Sequence, residues 1–215
     1  MTNADTPPLR RSIGRLTAFS DGVVSIAATL LVLPLVDTAA NERVSGFGEF
    51  FARNGDQLLV LALSFAVILR FWLIHHSLFE DLVAFTPALF WANAAWLLSI
   101  VLIPFPTELI AGGGTSNRTT DAIYIATLLV TSLAGLVMKV IMSRHPELLA
   151  PGATRDSPLG PSITASVSIA AALVVSQVVP GAGLWSLLLL FAAIPVDRFL
   201  ARRTARDRPR SSDQL

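Results

Sequence analysis

Six runs of mostly apolar residues, each long enough to cross a lipid bilayer as a helix, constrain this sequence more than any other feature. A membrane-spanning helix needs about 20 such residues, and the runs fall at 17–37, 57–77, 85–109, 120–142, 162–179 and 182–200. Hydrophobic residues make up 53% of the chain and charged residues only 14%, whereas soluble domains carry roughly 25% charged residues. We therefore predict an all-α, polytopic membrane protein with six transmembrane helices.

The basic residues are distributed unevenly between the two sides that six spans create. With the N-terminus inside, 13 of the 16 Lys and Arg residues lie on the cytoplasmic half, and the three outside are Arg43, Arg53 and Arg118. Since positively charged loops stay cytoplasmic, this bias predicts that both termini are cytoplasmic. We expect residues 1–205 to form a single six-helix transmembrane domain and residues 206–215 to form a basic, polar tail.

Several kinds of chemistry find no support in the sequence. The chain has no cysteine, which excludes disulfides, thiolate metal sites and cysteine nucleophiles. His75 and His76 are adjacent, so they diverge by about 100° on a helix, whereas two metal ligands from one helix prefer a spacing of i, i+4. Asp21 is the one acid near a span interior, and intramembrane aspartyl catalysis needs two carboxylates. We expect no enzymatic activity, no metal site, no cofactor and no nucleic-acid partner.

The first run carries a patterned set of apolar and hydroxyl residues. Ile26, Leu30 and Leu33 have the spacing i, i+4, i+7 and share one helix face, while Ser25 and Thr29 form an i, i+4 pair on the adjoining strip. Hydroxyls inside membrane helices usually bond to carbonyls of their own helix or lie at helix contacts. The pattern alone leaves both that structural interpretation and a functional one open.

Arg15 and Asp21 are harder to explain as structural residues. An ionisable residue near hydrocarbon costs several kcal/mol unless it is paired or hydrated. Six residues apart on a helix, the two side chains point in directions about 120° from each other, so each needs a partner on another helix. Candidates at a similar predicted depth are Arg70, His75 and His76 in the second run and Trp91 and Asn93 in the third.

The segment R-x-x-x-F-S-D, formed by Arg15, Phe19, Ser20 and Asp21, resembles the signature of the transmembrane protein 175 family of potassium channels. The likeness continues through DGVVSIAATLLVLPL in the first run, FWLIHH in the second, and residues 93–107 in the third. It covers about the first half of the chain. The last three runs match the family only in number and hydrophobicity.

This resemblance implies a potassium-permeable channel of the bacterial plasma membrane that lacks the usual TVGYG filter, a sequence absent here. It also implies a homotetramer in which the first helix of each chain lines a central pore that potassium ions cross transiently. The family's constricting isoleucine falls on Ile26, and its further apolar layers fall on Leu30 and Leu33. The hydroxyl positions that flank the constriction fall on Ser25 and Thr29.

Four copies of such an aliphatic face would form a hydrophobic constriction that closes by dewetting, and hydroxyl oxygens beside it would partly replace the hydration shell of potassium. We expect Arg15 and Asp21 to be fixed outside the pore by His75 or His76 and Asn93, and so to set the rotation of the first helix. One alternative is a proton-coupled secondary transporter in which Asp21 and a histidine titrate. Another is a structural membrane module whose polar residues only hold helices together.

Overall fold

The structure, a computed structural model, describes residues 10–42, 46–111, 118–151 and 159–179. Within these ranges the chain forms eight α-helices, one short 3-10 helix and no β-strand. The α-helices are α1 (Arg10–Leu30), α2 (Leu33–Asn41), α3 (Phe47–Arg53), α4 (Gly55–Glu80), α5 (Pro87–Leu102), α6 (Pro104–Ala111), α7 (Arg118–Arg144) and α8 (Gly160–Val178). The 3-10 helix, Pro146–Leu148, lies between α7 and α8.

Four segments are long and apolar enough to cross a membrane, and they coincide with the first four predicted runs. They are Ile13–Asn41, Gly55–Glu80, Pro87–Ala111 and Arg118–Arg144. α8 is a helix at the fifth run, although its apolar part, Ser162–Val178, is shorter than the other four. The sixth run, 182–200, and the tail at 206–215 lie outside the described residues. The described part of the chain is a multi-pass, all-helical membrane fold.

The first span is divided into two helices, although its sequence pattern predicts one helix over residues 17–37. Pro34 has no N–H to donate, so the carbonyl of Leu30 loses its usual helical partner. The N–H of Val32 bonds instead to the carbonyl of Thr29 at 3.2 Å, which makes a tighter turn. α1 ends at Leu30, and α2 carries Pro34 in its first turn, where a missing N–H leaves no helical bond unmade.

α1 packs through one face against α4, α5 and α6. Ser20, Val24, Ala27 and Leu31 on this face are buried, and their spacing of three or four residues places them along one side of a helix. Large buried side chains such as Trp96 of α5 lie in the same core. Because lipid tails are as apolar as these side chains, close packing and hydrogen bonds hold membrane helices together more than hydrophobic burial does.

Two connections at one end of the helices are joined through their backbones. The N–H of Val83 donates to the carbonyl of Leu148 at 2.9 Å, and the N–H of Ala150 donates to the carbonyl of Asp81 at 2.9 Å. We call this pair of bonds the backbone clasp. It places the connection after α4 beside the connection after α7, as expected for helices that cross a membrane in alternating directions.

Candidate functional site

The face of the first span that is turned away from the rest of the chain is aliphatic. Ile26 is 62% exposed, Leu30 38% and Leu33 52%, whereas Val24 and Ala27 on the opposite side of α1 are buried. We call Ile26, Leu30 and Leu33 the aliphatic ridge. Since no described part of the chain covers this ridge, we take the ridge to be open to lipid, to another subunit or to a path through the membrane.

Two hydroxyls lie beside the ridge, and both donate their protons to their own helix. Ser25 Oγ donates to the carbonyl of Asp21 at 2.8 Å, and Thr29 Oγ1 donates to the carbonyl of Ile26 at 2.8 Å. Both residues are exposed. This is the back-bonding that membrane helices commonly show, and it commits the proton while leaving the oxygen lone pairs available to a cation or a water molecule.

The buried face of α1 is tied to two other helices by a chain of side-chain hydrogen bonds. Asn93 Nδ2 donates to Ser20 Oγ at 3.0 Å, and Asn93 Oδ1 lies 2.7 Å from His75 Nε2. An amide oxygen can only accept, so Nε2 of His75 carries the proton in this arrangement. Ser20 in turn donates to the carbonyl of Leu16 at 2.9 Å. Ser20, Asn93 and His75 thus join α1, α5 and α4, and all three are buried.

The imidazole of His75 lies between two aromatic rings. Its centroid is 4.1 Å from that of Phe79 and 4.1 Å from that of Trp96, with interplanar angles of 21° and 17°. Stacking on both faces and the bond to Asn93 leave the ring little freedom to rotate. The first span is therefore bonded, through Asn93, to a histidine whose ring is held in place.

Asp21 has a different partner from the ones expected from the sequence. Its Oδ1 accepts a hydrogen bond from Trp72 Nε1 at 2.8 Å, so its carboxylate is bonded to an indole of α4 and not to a histidine or to Asn93. The ring of Trp72 lies 5.3 Å from the ring of His76, which is itself exposed. Trp72 was not among the partners expected from the sequence, although its place one helical turn before the two histidines could have indicated it.

The other two motif residues lie on the surface of the chain. Arg15 and Phe19 are both exposed, Phe19 to 63%. Within the described residues Arg15 makes no bond to either histidine or to Asn93, contrary to the expected pairing.

A second buried hydroxyl cluster has no counterpart among the predicted site residues. Ser64 Oγ lies 3.1 Å from Tyr124 Oη and accepts from Thr107 Oγ1 at 3.0 Å. These residues belong to α4, α7 and α6, and all three are buried. Nothing in their local sequence distinguishes them, because the contacts join residues 60 and 43 positions apart. In the described ranges, no group of three or more His, Asp or Glu side chains is arranged to hold a metal ion.

Comparison with known proteins finds similarity in the part of the chain that carries the motif. The family model described as the endosomal/lysosomal potassium channel TMEM175 matches residues 15–104, from Arg15 of the motif to the first residue of α6. A Chamaesiphon minutus protein named as a potassium channel is 36% identical over 105 residues. Residues 15–104 are thus similar to the TMEM175 family, and the similarity covers the part of the chain that carries the motif. The similarity is to a family of ion channels, in agreement with the expectation that the chain is not an enzyme.

The TMEM175 relatives are matched over different shares of their length. The match to the Chamaesiphon protein covers 48% of this chain and 52% of that protein, so the chain spans about half the length of that relative. A Danio rerio relative named as the endosomal/lysosomal proton channel TMEM175 is 26% identical over 139 residues, which are 65% of this chain and 26% of that one. A crystal structure described as a lysosomal potassium-selective channel TMEM175 homolog from Chamaesiphon minutus has a TM-score of 0.56 at 25% identity, and it covers 85% of this chain and 98% of that one.

Proposed function

We propose that the protein is a potassium channel whose pore is lined by the aliphatic ridge of the first span. The observation that carries the proposal is the orientation of the first span, α1 and α2, which buries one face in the described part of the chain and leaves Ile26, Leu30 and Leu33 exposed. Relatives named as potassium channels support the choice of ion.

A narrow ring of aliphatic side chains resists water and ions, and it can therefore close a pore without a blocking plug. Ser25 and Thr29 stand beside the ridge with their protons donated to the backbone. Their oxygens are free to replace part of the hydration shell of a passing cation. The proposed channel discriminates among ions in this way, without a TVGYG filter.

One ridge cannot enclose a path, so several copies of the chain must contribute one each. We propose a homotetramer in the bacterial plasma membrane, with six spans per chain and both termini cytoplasmic, as the family resemblance implies. In this tetramer, the hydrogen bonds from Ser20 through Asn93 to His75 hold each first span at the rotation that directs its aliphatic ridge toward the pore axis.

The test is ion flux in liposomes that contain the purified protein. Passive potassium flux is expected to exceed sodium flux, and Ile26→Ala or Ile26→Asp is expected to raise conduction because the constriction becomes wider or wetter. Val130→Ala is the matched control, since Val130 is a branched aliphatic residue, 53% exposed, on α7. Equal potassium and sodium fluxes would defeat the selectivity, and Ile26 variants that conduct like Val130→Ala would remove Ile26 as the constriction.

Proton conduction is a second candidate, and the name of the Danio rerio relative favours it. The same liposomes with an internal pH indicator measure it, since a proton path acidifies the lumen under a potassium-free pH gradient. Uptake that saturates with substrate and needs the gradient would point instead to a proton-coupled transporter.

A further inference from the structure

Asp37 is an acidic residue on the exposed side of the first span. It lies on α2, four residues after Leu33, so the two share a helix face. Its side chain is exposed, and within the described ranges it makes no ion pair. Thr38, the next residue, points back toward the chain, where its hydroxyl accepts from Gln57 Nε2 at 3.2 Å.

Asp37 continues the line of the aliphatic ridge toward the far end of the span. Eleven residues separate it from Ile26, a spacing that would bring an unbroken helix back to within about 20° of the same direction. The break before Pro34 interrupts the hydrogen bonds of the span, but the exposed face continues across it through Leu33 and Val36, which are 52% and 54% exposed. The stripe that starts with branched aliphatic residues therefore ends in a carboxylate.

A lone carboxylate does not belong against lipid tails. Facing hydrocarbon without a partner would cost Asp37 several kcal/mol. Glu108, also exposed, is close enough for the two carboxylates to repel each other, so this neighbour adds negative charge. Water is the environment that satisfies an exposed, unpaired acid, and the surface that continues the ridge is therefore wet at this end.

We propose that Asp37 lines the mouth of the ion path at the α2 end and raises the local concentration of cations there. This inference rests on the proposed pore. A ring of carboxylates at the entrance acts through its field, without binding an ion for long, because charged clefts concentrate counter-ions and speed their entry. The effect is one-sided, since only ions that enter from the α2 end pass it before the ridge.

The experiment is single-channel recording of the reconstituted wild type and of Asp37→Asn in potassium chloride at about 0.1 M and at 1 M, where the screening lengths are about 10 Å and 3 Å. At the lower salt, Asp37→Asn is expected to reduce the current of ions entering from the α2 end by roughly two- to tenfold. Current in the other direction is expected to change less. At 1 M salt the difference between the two proteins is expected to disappear.

Two further variants complete the experiment. Asp37→Glu keeps the charge and is expected to restore most of the wild-type salt dependence. Glu80→Gln removes one exposed acid at the last residue of α4, which is the end of that helix away from α2. This control is expected to leave the current of ions entering from the α2 end unchanged. Because Asp37 is exposed and unpaired in the described residues, its variants should elute in gel filtration as the wild type does.

The outcomes separate this inference from the proposed function. If the wild type conducts potassium and Asp37→Asn has the same conductance at both salt concentrations, the role of Asp37 is wrong while the channel stands. A loss that is equal in both directions and persists at 1 M salt would also overturn it, since screening removes a field effect. A wild type that carries no potassium current would overturn the proposed channel and this inference together.

Discussion

Replacing Asn93 by leucine should loosen the first span from the rest of the chain. Leucine is close to asparagine in shape, so the change removes hydrogen bonds without leaving a large cavity. Two side-chain bonds are lost, at 3.0 Å to Ser20 and 2.7 Å to His75, and such bonds average about 0.6 kcal/mol in membrane proteins. The buried Nε2–H of His75 also loses its acceptor, which costs about 1 kcal/mol or more. The sum is a destabilisation of about 2 kcal/mol.

The measurement is thermal unfolding of the purified protein in detergent, followed by tryptophan fluorescence. For a chain of this size, about 2 kcal/mol corresponds to a fall in Tm of roughly 4–8 °C. Ser99→Ala is the control on the same helix, because Ser99 is also buried but donates only to the carbonyl of Trp96, at 2.6 Å. Loss of the Ser99 hydroxyl leaves no other side chain unpaired, so the Tm of the Ser99→Ala protein should stay within about 2 °C of the wild-type value.

A second readout tests what the bonds are for. If they set the rotation of α1, Asn93→Leu should also change ion flux in liposomes below the unfolding temperature, whereas Ser99→Ala should not. An Asn93→Leu protein that melts and conducts like Ser99→Ala would refute the reasoning. An Asn93→Leu protein with a lowered Tm but normal ion flux would show that these bonds contribute to stability and not to conduction.

Two other contacts lead to similar predictions. Trp72→Phe removes the 2.8 Å bond to the carboxylate of Asp21 and should lower the free energy of unfolding by about 1–2 kcal/mol. The control is Trp91→Phe, which should change the free energy of unfolding little because the side chain of Trp91 is 70% exposed. Equal Tm values for the two variants would contradict this prediction. Tyr124→Phe removes one hydroxyl from the cluster of Ser64 and Thr107 and should cost about 1 kcal/mol, whereas Tyr124→Ala also opens a cavity and should cost about 3–5 kcal/mol. Denaturant titration measures the free energy of unfolding of both Tyr124 variants. A Phe variant as unstable as the Ala variant would show that the hydroxyl contributes more to stability than the ring does.

Hydropathy was enough to locate four spans, because a membrane leaves a helix few alternatives and the apolar run fixes its length. Local breaks were harder to place. Hydropathy predicts one helix over residues 17–37, whereas the span is divided into α1 and α2 just before Pro34. The short helix α3 lies in a connection that composition describes only as polar, since seven residues give too little periodicity to recognise.

The partners of the polar residues show the limit of reasoning from depth. Depth placed His75 and Asn93 level with Arg15 and Asp21, whereas the structure joins His75 and Asn93 to Ser20. Direction is a separate quantity, set by how the helices are rotated against each other. It assigns Asp21 to Trp72 and leaves Arg15 on the surface, which a single sequence without neighbouring helices in view does not reveal.

Every atom in the backbone clasp belongs to the main chain, so the connection does not depend on which side chains occupy it. Any residue except proline at positions 83 and 150 can donate the same two N–H groups. Substitutions other than proline at these two positions therefore leave both bonds in place and keep the two connections side by side.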